Sequence, residues 1–111
     1  MHRLVVGVVF TMSTMSLVGA AAAQEAHAKG EQVYAAQKCS LCHSIAGKGN
    51  AKGSLDGIGS RLSVDEIREW IVDAKGMTAK TKSPRKPAMR HFALPKDEVD
   101  ALVAYLSSLK K

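Results

Sequence analysis

Residues 39–43 read CSLCH and hold the only two cysteines of the chain. Cys39 and Cys42 stand three positions apart, about one helical turn, and His43 follows directly. Four chemistries use such a pair: a disulfide, a metal site, a thiol redox switch, and the attachment of a haem. A disulfide across two intervening residues closes so small a loop that it removes little chain entropy. A structural zinc site takes four ligands, and beyond His43 only His27 and His91 offer further nitrogen donors outside the N-terminal segment. A thioredoxin-like switch belongs beside a βαβ pattern. No strand-like run follows here, and such a switch leaves His43 without a task. C-x-x-C-H is the attachment signature of c-type haem. Two sulfurs on one turn can each form a thioether to one of the two vinyl groups, and the next residue then points its imidazole at the iron from the proximal side. The spacing points to haem c, with thiol redox chemistry and a structural metal as the alternatives.

An iron that only carries electrons takes a second strong axial ligand, commonly a methionine sulfur, which raises the potential. Met1, Met12 and Met15 lie in the N-terminal segment, so Met77 and Met89 remain. Both fall in Gly76–Leu94, read as one irregular stretch containing Pro84 and Pro87. A long loop can cross the distal face and present a side chain. Met77 sits just past an expected helix end and reads as core filling. Met89 follows Lys86-Pro87-Ala88, where proline stiffens the approach, and reads as the distal ligand. His91 in its place would lower the potential.

Three helices are expected to frame these residues. The first spans about Ala26 to Lys38, with Val33 and Tyr34 apolar. The second opens on Ser63-Val64-Asp65-Glu66, a capping box. Val64, Ile67, Trp70, Ile71 and Ala74 follow on one face, and Gly76 reads as the stop. The third spans about Pro95 to Leu109. Pro95 suits its first turn, Asp97 and Glu98 its positive end, and Lys110 and Lys111 its negative end. Val99, Leu102, Val103, Leu106 and Leu109 form its buried stripe. No segment alternates like a strand. The stretch AGKGNAKGSLDGIGS, with five glycines, reads as loop.

The chain of 111 residues leaves room for one small domain. Met1-His2-Arg3 gives a short positive end, Leu4 to Val18 is mostly apolar and uncharged, and Ala20–Ala23 supplies small residues before Gln24. This is the layout of an export signal, so residues 1–23 are expected to be a cleaved signal peptide and 24–111 the working domain. The alternative is an uncleaved anchor, since Leu4 to Ala23 is long enough to span a bilayer. Cleavage removes Arg3 and no acidic residue, taking the formal charge from +6 to about +5. So small a chain buries little core of its own and leans on a cofactor. Lys75, Lys80, Lys82, Arg85, Lys86 and Arg90 crowd residues 75–90 without an acid, and Lys48 and Lys52 follow the cysteine motif. Such a ring would steer an acidic partner into a fast, short-lived complex. A basic loop that is merely solvated is the bland alternative. Export, and the lack of aromatic residues among the basic ones, argue against nucleic acid.

With these residues in place, the chain resembles the class I c-type cytochromes, the small bacterial kind with one haem. CSLCH is the most specific part of the resemblance. Gly30-x-x-x-Tyr34 is similar to the family's first-helix motif, and Leu102-Val-Ala-Tyr105-Leu106 to its last-helix motif. In the family these helices cross, which implies Gly30 and Tyr34 against Leu102 and Tyr105. Pro87-Ala-Met89-Arg-His-Phe92 is similar to the family's methionine loop, with Arg90 where proline often stands. Gly53-Ser54 replaces a frequent Gly-Pro, and the resemblance implies that a carbonyl there, on Ser54, accepts the axial histidine's other N–H. That bond would fix the tautomer of His43. Trp70 resembles a tryptophan that approaches a haem propionate, although core packing would also account for it.

The expectation is an all-α fold of the small cytochrome c kind, about three helices and long loops wrapped around one covalent haem c. Cys39 and Cys42 would carry the thioethers, His43 would bind the iron proximally and Met89 distally. The expected function is a periplasmic one-electron carrier between redox proteins with acidic docking surfaces. It would be a monomer without stable membrane insertion, and not an enzyme. The rivals are a haem with an open or labile distal site, as in a gas sensor or a peroxidase-like protein, and a haem subunit of a larger oxidoreductase.

Overall fold

The computed structural model describes residue 7 and residues 18–111. Most of the expected signal segment lies outside the described residues, and its boundary at residue 23 falls within the first helix. Helix α1 spans Val18–Ala36, α2 Ile58–Arg61, α3 Val64–Val72, α4 Ala74–Thr81 and α5 Lys96–Ser107. A two-residue hairpin, β1 (Ser44–Ile45) and β2 (Lys48–Gly49), lies between α1 and α2. The fold is all-α, as expected, but the described residues form five helices where three were read.

α1 begins eight residues before the expected start. Ala20–Ala23 are the strongest helix formers and carry the helix outward, while residues 19–25 stay exposed. Packing begins at Ala26 and His27, where the helix was expected to begin. It ends two residues early, because Lys38 adopts a left-handed conformation at φ 55° and turns the chain into the cysteine motif.

α1 crosses α5 at Gly30, where an added Cβ would overlap the Ala101 carbonyl oxygen and the Tyr105 Cβ. Tyr34 meets Tyr105 edge-on at 6.0 Å, and His27 meets the same ring at 5.0 Å. The nearest backbone to Gly30 is therefore Ala101, one residue before the Leu102 that the resemblance implied. Leu102 lies instead in the buried core with Val33, Ile67 and Ile71. Gly30→Ala forces two helix backbones apart, so it is expected to destabilise the domain by about 1–3 kcal/mol, as overpacking does. A thermal or denaturant midpoint equal to that of the parent chain would contradict this crossing.

α3 opens on the expected capping box. The Ser63 hydroxyl accepts from the Glu66 N–H at 3.1 Å, and the Glu66 carboxylate accepts from the Ser63 N–H at 3.1 Å. Ile67 and Ile71 are buried, whereas Val64 is 52% exposed and leaves the predicted apolar face. The helix does not run to Gly76. It breaks at Asp73, whose backbone leaves helical geometry at φ −146°, ψ 57°. The Asp73 carboxylate then accepts from the Gly76 N–H at 3.1 Å and caps α4. The segment expected to begin a loop is thus a second helix, and it buries Ala74 and Met77. The loop proper starts at Lys82. α5 lies within two residues of its expected limits, with Pro95 at its N-terminal boundary.

Candidate haem site

Cys39–Leu41 form a tight 3₁₀ turn. The His43 N–H donates to the Cys39 carbonyl at 2.9 Å and the Cys42 N–H to the same oxygen at 3.1 Å. One turn therefore presents both sulfurs and the imidazole together. Cys39 is half-buried and Cys42 exposed, and the two are not joined in a disulfide. Burial pushes the Cys39 thiol above its ordinary value, the opposite of what a reactive thiolate switch requires. Among the described residues no three His, Cys, Asp or Glu side chains gather as a metal site would need.

The chain after the motif folds back along it. The Asn50 N–H donates to the carbonyls of His43 (2.9 Å) and Ser40 (3.1 Å), and its side-chain amide donates to the Leu41 carbonyl at 3.2 Å. The Leu55 N–H donates to the Ser44 carbonyl at 2.8 Å. Asn50 thus holds the turn from below, a role that sequence reasoning missed inside a glycine-rich loop. This return brings the Gly53 carbonyl to 2.9 Å from His43 Nδ1. The acceptor is Gly53, one residue before the expected Ser54. The 3₁₀ turn Ala51–Gly53 aims the glycine carbonyl at the imidazole, while the Ser54 backbone bridges Ser44.

With Nδ1–H donated to Gly53, the other ring nitrogen keeps its lone pair free for a metal. Burial pushes the His43 pKa below its usual value. The bond to Gly53 opposes that shift, and the Arg85 guanidinium adds to it. The net direction favours the neutral imidazole, the form that binds iron.

A cavity of about 720 Å³ opens beside the motif and is walled mainly by apolar side chains. Cys39, Cys42 and His43 line one part of its wall, and Met89 lines it from the loop between α4 and α5. All four residues expected at the site reach this one cavity. Met77 does not line it, and lies 4% exposed in the core beneath α4. His91 does not line it either, and is exposed. Trp70 stands half-buried on the cavity wall.

The residues fit a haem. The volume lies within the roughly 300–1,000 Å³ of cofactor and ligand pockets. Two thiols, a neutral imidazole with one nitrogen free, and a thioether share one apolar enclosure. Tyr34 also lines it, and its buried hydroxyl has no hydrogen-bond partner among the described residues. Burial, with a smaller contribution from Cys39, pushes that phenol up to about 12. A buried donor without an acceptor suits a wall that meets a polar edge of a ligand.

The basic residues divide. Lys80 lies 3.9 Å from Glu69. Arg85 is half-buried and donates to the Cys42 carbonyl at 2.8 Å. Lys75, Lys82 and Lys86 are exposed and form no ion pair among the described residues. Arg85, expected among the docking charges, is thus turned inward. Nothing in the spacing of these cations distinguishes the one that turns inward.

A model of the cytochrome c family matches residues 27–110. The chain is also 29% identical, over 91 aligned residues, to cytochrome c oxidase subunit 2 of Alkalihalophilus pseudofirmus. That alignment covers 74% of this chain and 25% of the oxidase subunit, so the chain spans about a quarter of that relative's length. No solved structure matches it. The family match takes in the cysteine turn, the methionine loop and the crossing of α1 with α5, and the chain belongs to the cytochrome c family, small all-α haem proteins of electron transfer.

Proposed function

We propose that the chain is a periplasmic one-electron carrier holding a single haem c, attached through Cys39 and Cys42 and ligated by His43 and Met89. The observation that carries this reading is the convergence of those four side chains on one apolar cavity, while Met77 and His91 stay outside it. The bound haem supplies the one-electron couple between ferrous and ferric iron. The protein's part would be to hold the iron through His43 and Met89 in both oxidation states, so that little rearranges as the charge changes. His43 is held in one tautomer by Gly53. Met89 is carried by a loop stiffened at Pro84 and Pro87. The apolar wall favours an apolar ring over water. No general base or substrate-binding group is needed for such a role, and we assign no catalysis to the chain.

The export layout of residues 1–23 supports a periplasmic location and a working domain of 24–111. Among the described residues no helix is long and apolar enough to cross a membrane. N-terminal sequencing of protein from the periplasmic fraction is expected to begin near Gln24. A sequence beginning at Met1 would favour an anchor.

Lys82 and Lys86, exposed on the methionine loop, suit a redox partner with an acidic face. Lys82→Glu with Lys86→Glu is expected to slow electron transfer to such a partner about tenfold or more at low salt, and little at high salt. Stopped-flow rates across ionic strength check this, and an unchanged low-salt rate would contradict the docking surface. The likeness to an oxidase subunit favours a second reading, a haem subunit of a larger oxidoreductase. Gel filtration of the native extract separates the two: a carrier elutes as a small monomer, a subunit with its complex.

A further inference from the structure

Met89 sits in the loop between α4 and α5, residues 82–95, whose ties to the rest of the protein are few. On its N-terminal side, four residues before Met89, the Arg85 guanidinium donates through Nη2 to the Cys42 carbonyl at 2.8 Å. On its C-terminal side, three residues after Met89, the Phe92 N–H donates to the Ile71 carbonyl at 3.1 Å. The Arg90 guanidinium stacks over the Phe92 ring at 5.0 Å. Among the described residues, the Arg85 bond is the only hydrogen bond from residues 82–91 to the segment 39–54 that holds both cysteines and His43.

The other half of the guanidinium lies against Gly53. A Cβ at that position would overlap both Nη1 of Arg85 and the Cys42 carbonyl oxygen. Gly53 is also the residue whose carbonyl accepts from His43 Nδ1. Arg85 therefore spans two backbone segments at once. One carries a thioether cysteine, the other orients the proximal histidine, and Arg85 itself belongs to the loop that carries Met89. A planar fork with several fixed N–H donors suits such a span, where a lysine offers a single point charge.

We infer that Arg85 is a positioning residue that clasps the methionine loop to the proximal turn, holding Met89 on the iron and setting the reduction potential with its fixed charge. The inference rests on the proposal that His43 and Met89 are the axial ligands. Two effects follow. Cutting the clasp removes the one hydrogen bond, among the described residues, between the methionine loop and the segment 39–54, and leaves the far side of the loop held by the Phe92 N–H and by the packing of Phe92 and Leu94, so Met89 is released under milder conditions. A fixed positive charge beside the proximal ligand favours the state with one positive charge fewer, the ferrous one. Its loss therefore lowers the potential.

The test compares haem-loaded Arg85→Met, Arg85→Gln and Arg85→Lys with the parent protein and with Lys75→Met, which removes an exposed charge on α4. Two quantities are read: the midpoint potential, and the denaturant concentration at which the methionine–ferric charge-transfer band disappears. Arg85→Met and Arg85→Gln are expected to lower both, well beyond Lys75→Met. Arg85→Lys is expected to recover most of the potential but less of the band's resistance. Arg85→Gln, which keeps an N–H donor, serves if the methionine variant folds poorly. Neutral Arg85 variants that match Lys75→Met in both quantities would overturn the clasp. A parent protein that lacks the band altogether would overturn the ligand assignment instead, and the clasp with it.

Discussion

Replacing Met89 by alanine is expected to abolish the methionine–ferric charge-transfer band, lower the reduction potential and let carbon monoxide bind the reduced protein. Replacing Met77 by alanine is expected to do none of these. The two methionines are equivalent in chemistry, so their separation rests on placement. Met89 reaches the cavity from a loop held between Arg85 and Phe92. Met77 is packed under α4, 4% exposed, and fills core. Its truncation should cost about 2–5 kcal/mol of stability, the usual range for a buried methionine, with the optical spectrum intact. His91→Ala should leave the band in place as well, since that imidazole is exposed and off the cavity wall. A band that survives in Met89→Ala and vanishes in either of the other two variants would reassign the distal ligand.

The second large effect concerns the cofactor as part of the fold. Cys39→Ser with Cys42→Ser removes the covalent attachment, and the chain without haem is expected to lose most of its helical structure and its cooperative unfolding. The described hydrophobic core is small, and a cavity of about 720 Å³ adjoins it. Without haem this apolar wall would stand against water and forfeit the burial that the cofactor supplies, a serious loss for a domain whose whole stability is about 5–15 kcal/mol. Ion pairs cannot offset it. Lys29 with Asp97, Arg68 with Asp100 and Lys96 with Asp100 all involve exposed or half-exposed side chains, and pairs of that kind contribute little. Far-ultraviolet circular dichroism with and without haem measures the effect. A cooperative, fully helical apo-chain would contradict it.

The parts of the molecule that were legible in the sequence are those fixed by local chemistry. The cysteine spacing dictates a single turn, and the turn forms. Ser63 and Glu66 specify a helix start by reciprocal hydrogen bonds, and both bonds are present. The apolar stripe of α5 needs no partner to be read, because its period alone fixes one face. Gly30 also falls where its lack of a side chain matters.

The parts that were not legible depend on a second segment or on competing local signals. Gly76 reads as a helix stop. Asp73, three residues earlier, is the actual break and also a cap, and as a cap it restarts the helix through the Gly76 N–H. An aspartate with a small residue three positions on was the available signal. Ala46 and Gly47, both at positive φ (51° and 79°), make the tight hairpin turn between β1 and β2. Alanine gives little warning of that conformation. The choice of Gly53 over Ser54 as the acceptor for His43 rests on how the 3₁₀ turn aims a carbonyl, which composition does not encode. Arg85 looks like one cation among many, and only the fold distinguishes it from Lys82 and Lys86 by turning it onto the Cys42 carbonyl.

The central claim is a haem bound on both sides by this chain, through His43 and Met89. It is tested most directly by the visible spectrum of the purified, haem-loaded protein, oxidised and reduced, with and without carbon monoxide. A low-spin spectrum, the methionine–ferric charge-transfer band and no response to carbon monoxide are the predicted result. A high-spin spectrum or ready carbon monoxide binding would contradict the claim, and would mean a haem with an open distal position built to bind small molecules.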